Sequence, residues 1–108
     1  IAKSRYNRVM DIVMILKALA NERRLQIVEW LREPAKHFSS DTCDVAKRGV
    51  CVGLIEKKTG LSQSTVSQYL VQLRQAGIIT MARCGQWTYC KLNKNFCEHF
   101  LKELGQRI

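Results

Sequence analysis

Short hydroxyl and amide side chains are crowded into residues 62–68, which have the sequence SQSTVSQ. Serine and threonine hydroxyls can contact several base edges of DNA, and a glutamine amide can pair with adenine through two hydrogen bonds. This stretch therefore predicts a surface for hydrogen bonding to bases or phosphates, while an ordinary amphipathic helix with a solvated polar face is the alternative. The candidate contact residues are Ser62, Gln63, Ser64, Thr65, Ser67 and Gln68.

Thiols are the second chemically distinctive group, since the chain has five cysteines. An odd number of cysteines in a chain long enough to fold without cross-links predicts free thiols in a reducing compartment, and hence a cytoplasmic protein. Cys43 and Cys51 flank a turn-rich stretch, so they are the candidate pair for a disulfide or a thiophilic ion. The alternative for Cys51 is a small apolar packing residue. Cys84 is expected to be exposed at a hairpin tip, and Cys90 to pack within a strand.

Sequence patterns of common enzymes are missing from this chain. It has two histidines and contains no glycine-rich phosphate loop, Cys-x-x-Cys pair or His-Glu-x-x-His motif. The sequence therefore predicts a protein that is not an enzyme, requires no cofactor to fold and has no assigned metal ligands.

A helix-turn-helix is predicted over residues 52–76, where it would position the polar stretch. Gly60 follows an eight-residue helical segment, at the place where a left-handed C-cap is needed, and Leu61 is the apolar residue of the turn. Ser62 can then cap the second helix. The predicted core face of this helix is Val66, Tyr69, Leu70 and Leu73, and the opposite face carries Ser64, Gln68 and Gln75.

A β-hairpin is predicted directly afterwards, over residues 78–92. The β-branched and aromatic runs IITMA and QWTYCKL flank Arg83, Cys84 and Gly85, which is typical of a hairpin. A basic hairpin beside a polar helix can touch phosphates or the minor groove, so Arg83 and Gln86 are candidate DNA contacts.

Helices are predicted at both ends of the chain. Residues 5–20 are apolar on more than one helical face, which predicts burial on two sides and hence a second copy of the chain, with Ile15 and Leu16 at that contact. Asn21 is expected to cap a second helix, and residues 34–50 are expected to form a loop that can include a short helical piece. Residues 94–108 are expected to form a last helix, which either packs on its own core or joins the dimer contact. The second helix is expected to bury Leu25, Ile27, Val28, Trp30 and Leu31.

Length and charge limit the class of protein. A chain of 108 residues is expected to form a single domain over 1–108, mainly α with a small β-hairpin: about five helices and a two-stranded wing. The formal net charge of +9 favours an anionic partner, and nucleic acid is the commonest one. Because Asp11 and Lys17 interrupt the longest apolar run, no membrane span is predicted.

These segments resemble a known family. The runs LKALANERRLQIVEWL and GLIEKKTGLSQSTVSQYLVQLRQAGIITMARCGQWTYCKLN are similar to the arsenic-repressor (ArsR/SmtB) family of bacterial winged-helix regulators, over roughly residues 10–95. The resemblance implies a homodimer built on the first and last helices, binding of a palindromic operator on double-stranded DNA, and repression that an effector relieves. A winged helix that serves as a protein-protein module, or as a subunit of a nucleic-acid machine, is the alternative.

The effector is not defined by the resemblance. Metalloid-sensing members of the family carry a Cys-x-Cys pair at the start of the first helix of the motif, whereas this chain has Cys51, Val52 and Gly53 there. One thiol cannot form a three-thiolate arsenite site, so Cys43 and another cysteine would have to converge on it. A metalloid, a metal and an oxidant all remain open as effectors.

Overall fold

The computed structural model describes residues 10–39 and 45–108. Cys43 and residues 5–9 of the predicted first helix lie outside this part of the chain. Within it, the helices are α1 (Ile12–Leu19), α2 (Glu22–Arg32), α3 (Pro34–His37), α4 (Val45–Arg48), α5 (Val52–Thr59), α6 (Gln63–Gln75) and α7 (Lys94–Gly105). The strands are β1 (Val50–Cys51), β2 (Ile79–Cys84) and β3 (Trp87–Leu92).

The corner between α1 and α2 is fixed by side-chain hydrogen bonds. As predicted, Asn21 caps α2, because its Oδ1 accepts from the backbone N–H groups of Arg23 and Arg24 at 2.9 and 3.0 Å. The Arg24 guanidinium donates back to the carbonyls of Ala18 and Lys17 at 2.7 and 3.1 Å. Since the last carbonyls of a helix have no partner within it, these bonds satisfy the end of α1.

Residues 34–39 and 45–50 contain two short helices and a strand, where a loop with a short helical piece was predicted. Pro34 begins α3, where its missing N–H is not needed, and β1 pairs antiparallel with β3 to make a three-stranded sheet in the order β1-β3-β2. Gly49 permits this pairing because it has φ 101° and because an added Cβ would lie 2.6 Å from the Cys90 carbonyl oxygen. The winged-helix prediction is confirmed, but the expected five helices and two strands omitted α3, α4 and β1. Elements of four and two residues are too short to show a hydrophobic period.

The hydrophobic core lies between the sheet and helices α2, α5 and α6. The predicted core face of α6 is confirmed at Val66, Leu70 and Leu73, which are fully buried. The prediction for α2 was wrong at Leu25, which is 44% exposed. Two residues along a helix correspond to a turn of about 200°, so burial of Ile27 directs Leu25 toward the opposite side. The fully buried side chains are Ile27, Val50, Ile55, Val66, Leu70, Leu73, Ile79 and Cys90.

The outer helices bury one apolar face and expose another. In α1, Ile15 is 2% exposed and lies in the core of its own chain, whereas Leu16 is 41% exposed. The assignment of Ile15 to a contact between two copies was therefore wrong, and Leu16 stays a predicted residue of that contact. The same division occurs in α7, where Phe100 is buried and Leu101 is 63% exposed. None of the described helices is long and apolar enough to cross a membrane.

Candidate nucleic-acid interface

The turn between α5 and α6 holds the polar helix at a defined angle. Gly60 ends α5 with φ 72°, and its N–H donates to the Glu56 carbonyl at 3.0 Å, which confirms the predicted left-handed cap. No atom lies within 4 Å of a Cβ built on Gly60, so glycine is needed there for its backbone angle rather than for space. The Thr59 hydroxyl donates to the Glu56 carbonyl at 3.0 Å and accepts from the Leu61 N–H at 3.1 Å. These bonds stabilise the turn.

Ser62 caps the N-terminus of α6, as predicted. Its Oγ accepts from the Thr65 N–H at 3.2 Å and donates to the Thr65 Oγ1 at 2.9 Å. The Ser64 hydroxyl lies 3.4 Å from the Ser62 Oγ. The Ser62 hydroxyl is thus occupied by contacts within the helix, and it orients the first turn of α6.

The remaining polar side chains of this turn point outward. Gln63, Ser64, Ser67 and Gln68 are exposed, and Thr65 is half-buried beside them. Within the described part of the chain no hydrogen bond reaches the side chains of Gln63, Ser67 or Gln68. Their amide and hydroxyl groups are therefore available to a partner. With thirteen residues α6 is about 20 Å long, and a helix of this kind fits a DNA major groove about 12 Å wide.

The hairpin β2–β3 places Arg83 next to its tip. Cys84 pairs with Trp87, so Gly85 and Gln86 form a two-residue turn, in which Gly85 has φ 63°. Arg83 immediately precedes Cys84, and its Nε donates to the Gly85 carbonyl at 3.2 Å. This bond directs the guanidinium toward the tip, beside the exposed Gln86.

The two faces of the hairpin carry different side chains. Paired residues point to the same face and neighbouring residues to opposite faces. Arg83 therefore shares a face with the Met81–Cys90 pair, which packs into the core. Cys84 and Trp87 lie on the opposite, outer face.

Arg48 is a basic residue at the wing that sequence reasoning missed. Its Nη1 donates to the Cys84 Sγ at 3.6 Å, and its Cζ lies 5.7 Å from the centre of the Tyr89 ring. No sequence pattern identified it, because this contact depends on how α4 packs beside the sheet.

The described cysteines are all free thiols with different surroundings. Cys84 is exposed and Cys90 fully buried, as predicted, while Cys51 is half-buried at the N-cap of α5. Burial raises the pKa of Cys90 to about 12, with a smaller contribution from the nearby Cys51 thiol, and burial also raises the pKa of Cys97. The Cys97 Sγ lies 3.7 Å from the Ile78 carbonyl, to which it donates. No group of three metal-ligating side chains is found in the described residues.

A helix-turn-helix with an exposed polar second helix, followed by a basic hairpin, defines the winged-helix class of DNA-binding proteins. The family model described as bacterial regulatory protein, arsR family, matches residues 45–81. The uncharacterized HTH-type transcriptional regulator YbzH of Bacillus subtilis is 47% identical over 83 residues, which are 76% of this chain and 83% of YbzH. The chain belongs to the ArsR family and is a DNA-binding transcriptional regulator.

Solved structures agree with this assignment. The transcriptional regulator HlyU from Vibrio vulnificus is similar with a TM-score of 0.60 and 31% identity, over 97% of this chain and 95% of that one. The homodimeric winged helix-turn-helix domain of Mb0332 from Mycobacterium bovis, a possible ArsR-family regulator, has a TM-score of 0.63 and 26% identity, over 96% and 85% of the two chains.

Proposed function

We propose that this regulator is an effector-responsive repressor that binds a palindromic operator as a homodimer. The observation that carries the proposal is the outward polar face at the N-terminal half of α6, next to a wing with Arg83 near its tip. A protein dimer with two such helices matches two half-sites related by the same symmetry.

Exposed apolar residues support the dimer. Among the described residues, six of the seven exposed large hydrophobic side chains lie on α1, on α2, on α7 or just after α7, and Trp87 on the wing is the other. A groove of about 500 Å³ between α2 and α7 continues this apolar surface and includes Leu25 and Leu101. Removing such an apolar surface from water favours association of two copies of the chain. The six residues are Val13, Met14, Leu16, Leu25, Leu101 and Ile108.

The proposed DNA contacts fall into three groups. Gln63, Ser64, Thr65, Ser67 and Gln68 would contact base edges and neighbouring phosphates in the major groove. Arg83 and Gln86 would contact phosphates or the minor groove from the wing. Ser62 was also a predicted contact, and since its hydroxyl caps α6 we assign it to positioning the others.

The proposed effector acts on the thiols of Cys43 and Cys51. Cys51 occupies the N-cap position of α5, the first helix of the motif, and its side chain makes no capping hydrogen bond. A disulfide or a thiophilic ion joining Cys51 to Cys43 would displace the start of that helix. The spacing of the two recognition helices would then no longer match the half-sites. Operator complexes should be titrated with arsenite, zinc and a disulfide oxidant, for the native chain, Cys43→Ser and Cys51→Ser. If no agent releases DNA, or if the serine variants respond like the native chain, these thiols are not the sensor.

An electrophoretic shift with the regulator's own promoter tests the proposal as a whole. We expect a shift with this promoter at protein concentrations that leave random DNA of the same length free. A duplex with one scrambled half-site should bind much more weakly. Equal binding to promoter and random DNA would contradict an operator-binding repressor.

The proposed compartment is the reducing cytoplasm, where such a protein would meet DNA with its thiols free.

A further inference from the structure

The side chain of Arg48 extends from the base of the β2–β3 hairpin toward its tip. Its backbone lies at the base of the hairpin, since the next residues, Gly49 and Val50, lie beside Cys90 and Lys91 of β3. The guanidinium is nevertheless 3.6 Å from the sulfur of Cys84, the last residue of β2 before the turn. The long side chain therefore brings a positive charge from α4 to the tip of a hairpin that does not itself contain Arg48.

The position of this guanidinium is opposite to that of Arg83. Cys84 and Tyr89, the two contacts of Arg48, point to the outer face of the hairpin, because Tyr89 pairs with Ala82 and Cys84 with Trp87. Arg83 points to the inner face. The two guanidinium groups thus lie on either side of the wing near its tip.

We infer that Arg48 is a second wing arginine, which contacts a DNA phosphate on the face of the wing away from Arg83. The inference rests on the proposed function, in which the wing lies against DNA. It adds a contact residue that comes from α4 and that neither the hairpin sequence nor the recognition helix contains.

The hydrogen bonds of Arg48 leave it able to bind an anion. A guanidinium has five N–H donors, and one of them is directed at the Cys84 sulfur, a weak acceptor. The other contact uses the face of the Tyr89 ring, which does not occupy N–H groups. The remaining donors can bind a phosphate, which arginine does in a two-bonded geometry.

The same two contacts hold the side chain in place before DNA arrives. A free arginine side chain loses rotamer entropy when it is ordered on binding. The cation–π contact with Tyr89 and the hydrogen bond to Cys84 restrict Arg48 beforehand, which lowers that cost. Gly49, with φ 101°, allows α4 to lie close enough to β3 for this reach.

The test is the salt dependence of operator binding. Each phosphate contact contributes a slope of about −0.9 in the plot of log K against log salt concentration, so loss of Arg48 from both protomers should flatten the slope by about 1.8. We expect this flattening for Arg48→Ala and for Arg48→Gln, with on the order of tenfold weaker binding at low salt. Arg48→Lys should keep the slope. Arg23→Ala, which removes an exposed arginine of α2, controls for net charge and should also keep it.

A native slope for both Arg48→Ala and Arg48→Gln would overturn the inference. If these variants then also bind more weakly and have a lower Tm, Arg48 only stabilises the hairpin. Arg83→Ala separates this inference from the proposed function. If Arg83→Ala flattens the slope and the Arg48 variants do not, only the role of Arg48 fails. If none of these variants changes the slope, the wing does not contact DNA.

Discussion

Glutamine and arginine side chains of the proposed interface are expected to contribute to DNA binding in different ways. An amide that pairs with a base edge distinguishes one sequence from another, whereas a guanidinium on a phosphate strengthens binding to every sequence. Gln68 lies on the exposed face of α6, and Arg83 lies near the tip of the wing, so substitutions at the two positions should differ in kind.

Gln68→Ala should weaken operator binding by about 1 to 3 kcal/mol and relax sequence preference, while binding to random DNA stays nearly unchanged. Arg83→Ala should weaken both complexes alike and flatten the salt dependence. The measurement is the Kd for operator and for random DNA at several salt concentrations. Gln75→Ala is a matched control, because this exposed glutamine lies seven residues further along α6, about 10 Å away. Equal losses on both DNAs for Gln68→Ala would remove that residue from the base contacts.

Cys90 should make folding stability depend on alkaline pH. Its pKa in the folded protein is about 12, against an ordinary value of 9.0, because burial disfavours the thiolate. The unfolded chain therefore releases this proton first. Stability is fully present below pH 9 and falls as the pH rises toward 12, by about 1.4 kcal/mol per pH unit for one thiol. Urea unfolding of the native chain and of Cys90→Ala between pH 8 and about 10.5 measures the difference. The same pH dependence in both proteins would show that Cys90 is not its cause.

The proposed interface depends on the N-cap of helix α6. The Ser62 hydroxyl satisfies the Thr65 N–H and also orients the Thr65 side chain. The orientation of the whole first turn, and of the polar residues on it, therefore depends on one capping residue.

Ser62→Ala should lower the free energy of unfolding by about 1 kcal/mol, since the Thr65 N–H loses its acceptor. Operator affinity should fall as well, because the first turn of α6 is then less ordered. Denaturant unfolding and Kd measurements check the two effects. Ser67→Ala, at an exposed position without a capping role, should leave stability unchanged. Unchanged stability in Ser62→Ala would mean that water replaces the cap at no cost.

At the scale of the whole molecule, neighbouring residues of α1 belong to different surfaces. Ile15 faces the core of its own chain and Leu16 faces solvent, at 2% and 41% exposure. A substitution can therefore separate folding from association.

Leu16→Glu should give a folded monomer that binds the operator weakly, because the charge faces the proposed partner rather than the core. Ile15→Glu should instead unfold the chain, since an unpaired charge would be buried. Sedimentation measures the mass of each variant, and circular dichroism measures its fold. If the native chain sediments as a monomer at micromolar concentration and still binds the operator tightly, the dimer proposal fails.

Elements that local chain geometry controls could be predicted from residue types alone. Gly60 and Ser62 mark the end of one helix and the start of the next because only particular residue types satisfy these positions. The hairpin followed from β-branched and aromatic runs on either side of a glycine turn. The helical period also placed Val66, Leu70 and Leu73 in the core.

Features that depend on residues far apart in the chain could not be predicted in this way and became visible in the folded chain. Strand β1 is only two residues long, and it forms because its backbone pairs with that of β3. No local sequence pattern could therefore predict it. Leu25 and Ile15 were misplaced because an apolar residue on a helix can face its own core or another surface, and the orientation of the packed helix selects between them. Arg48 reaches the tip of the wing through contacts with Cys84 and Tyr89, which lie 36 and 41 positions further along the chain. These contacts arise from the packing of α4 against the sheet, which cannot be predicted from the order of residues alone.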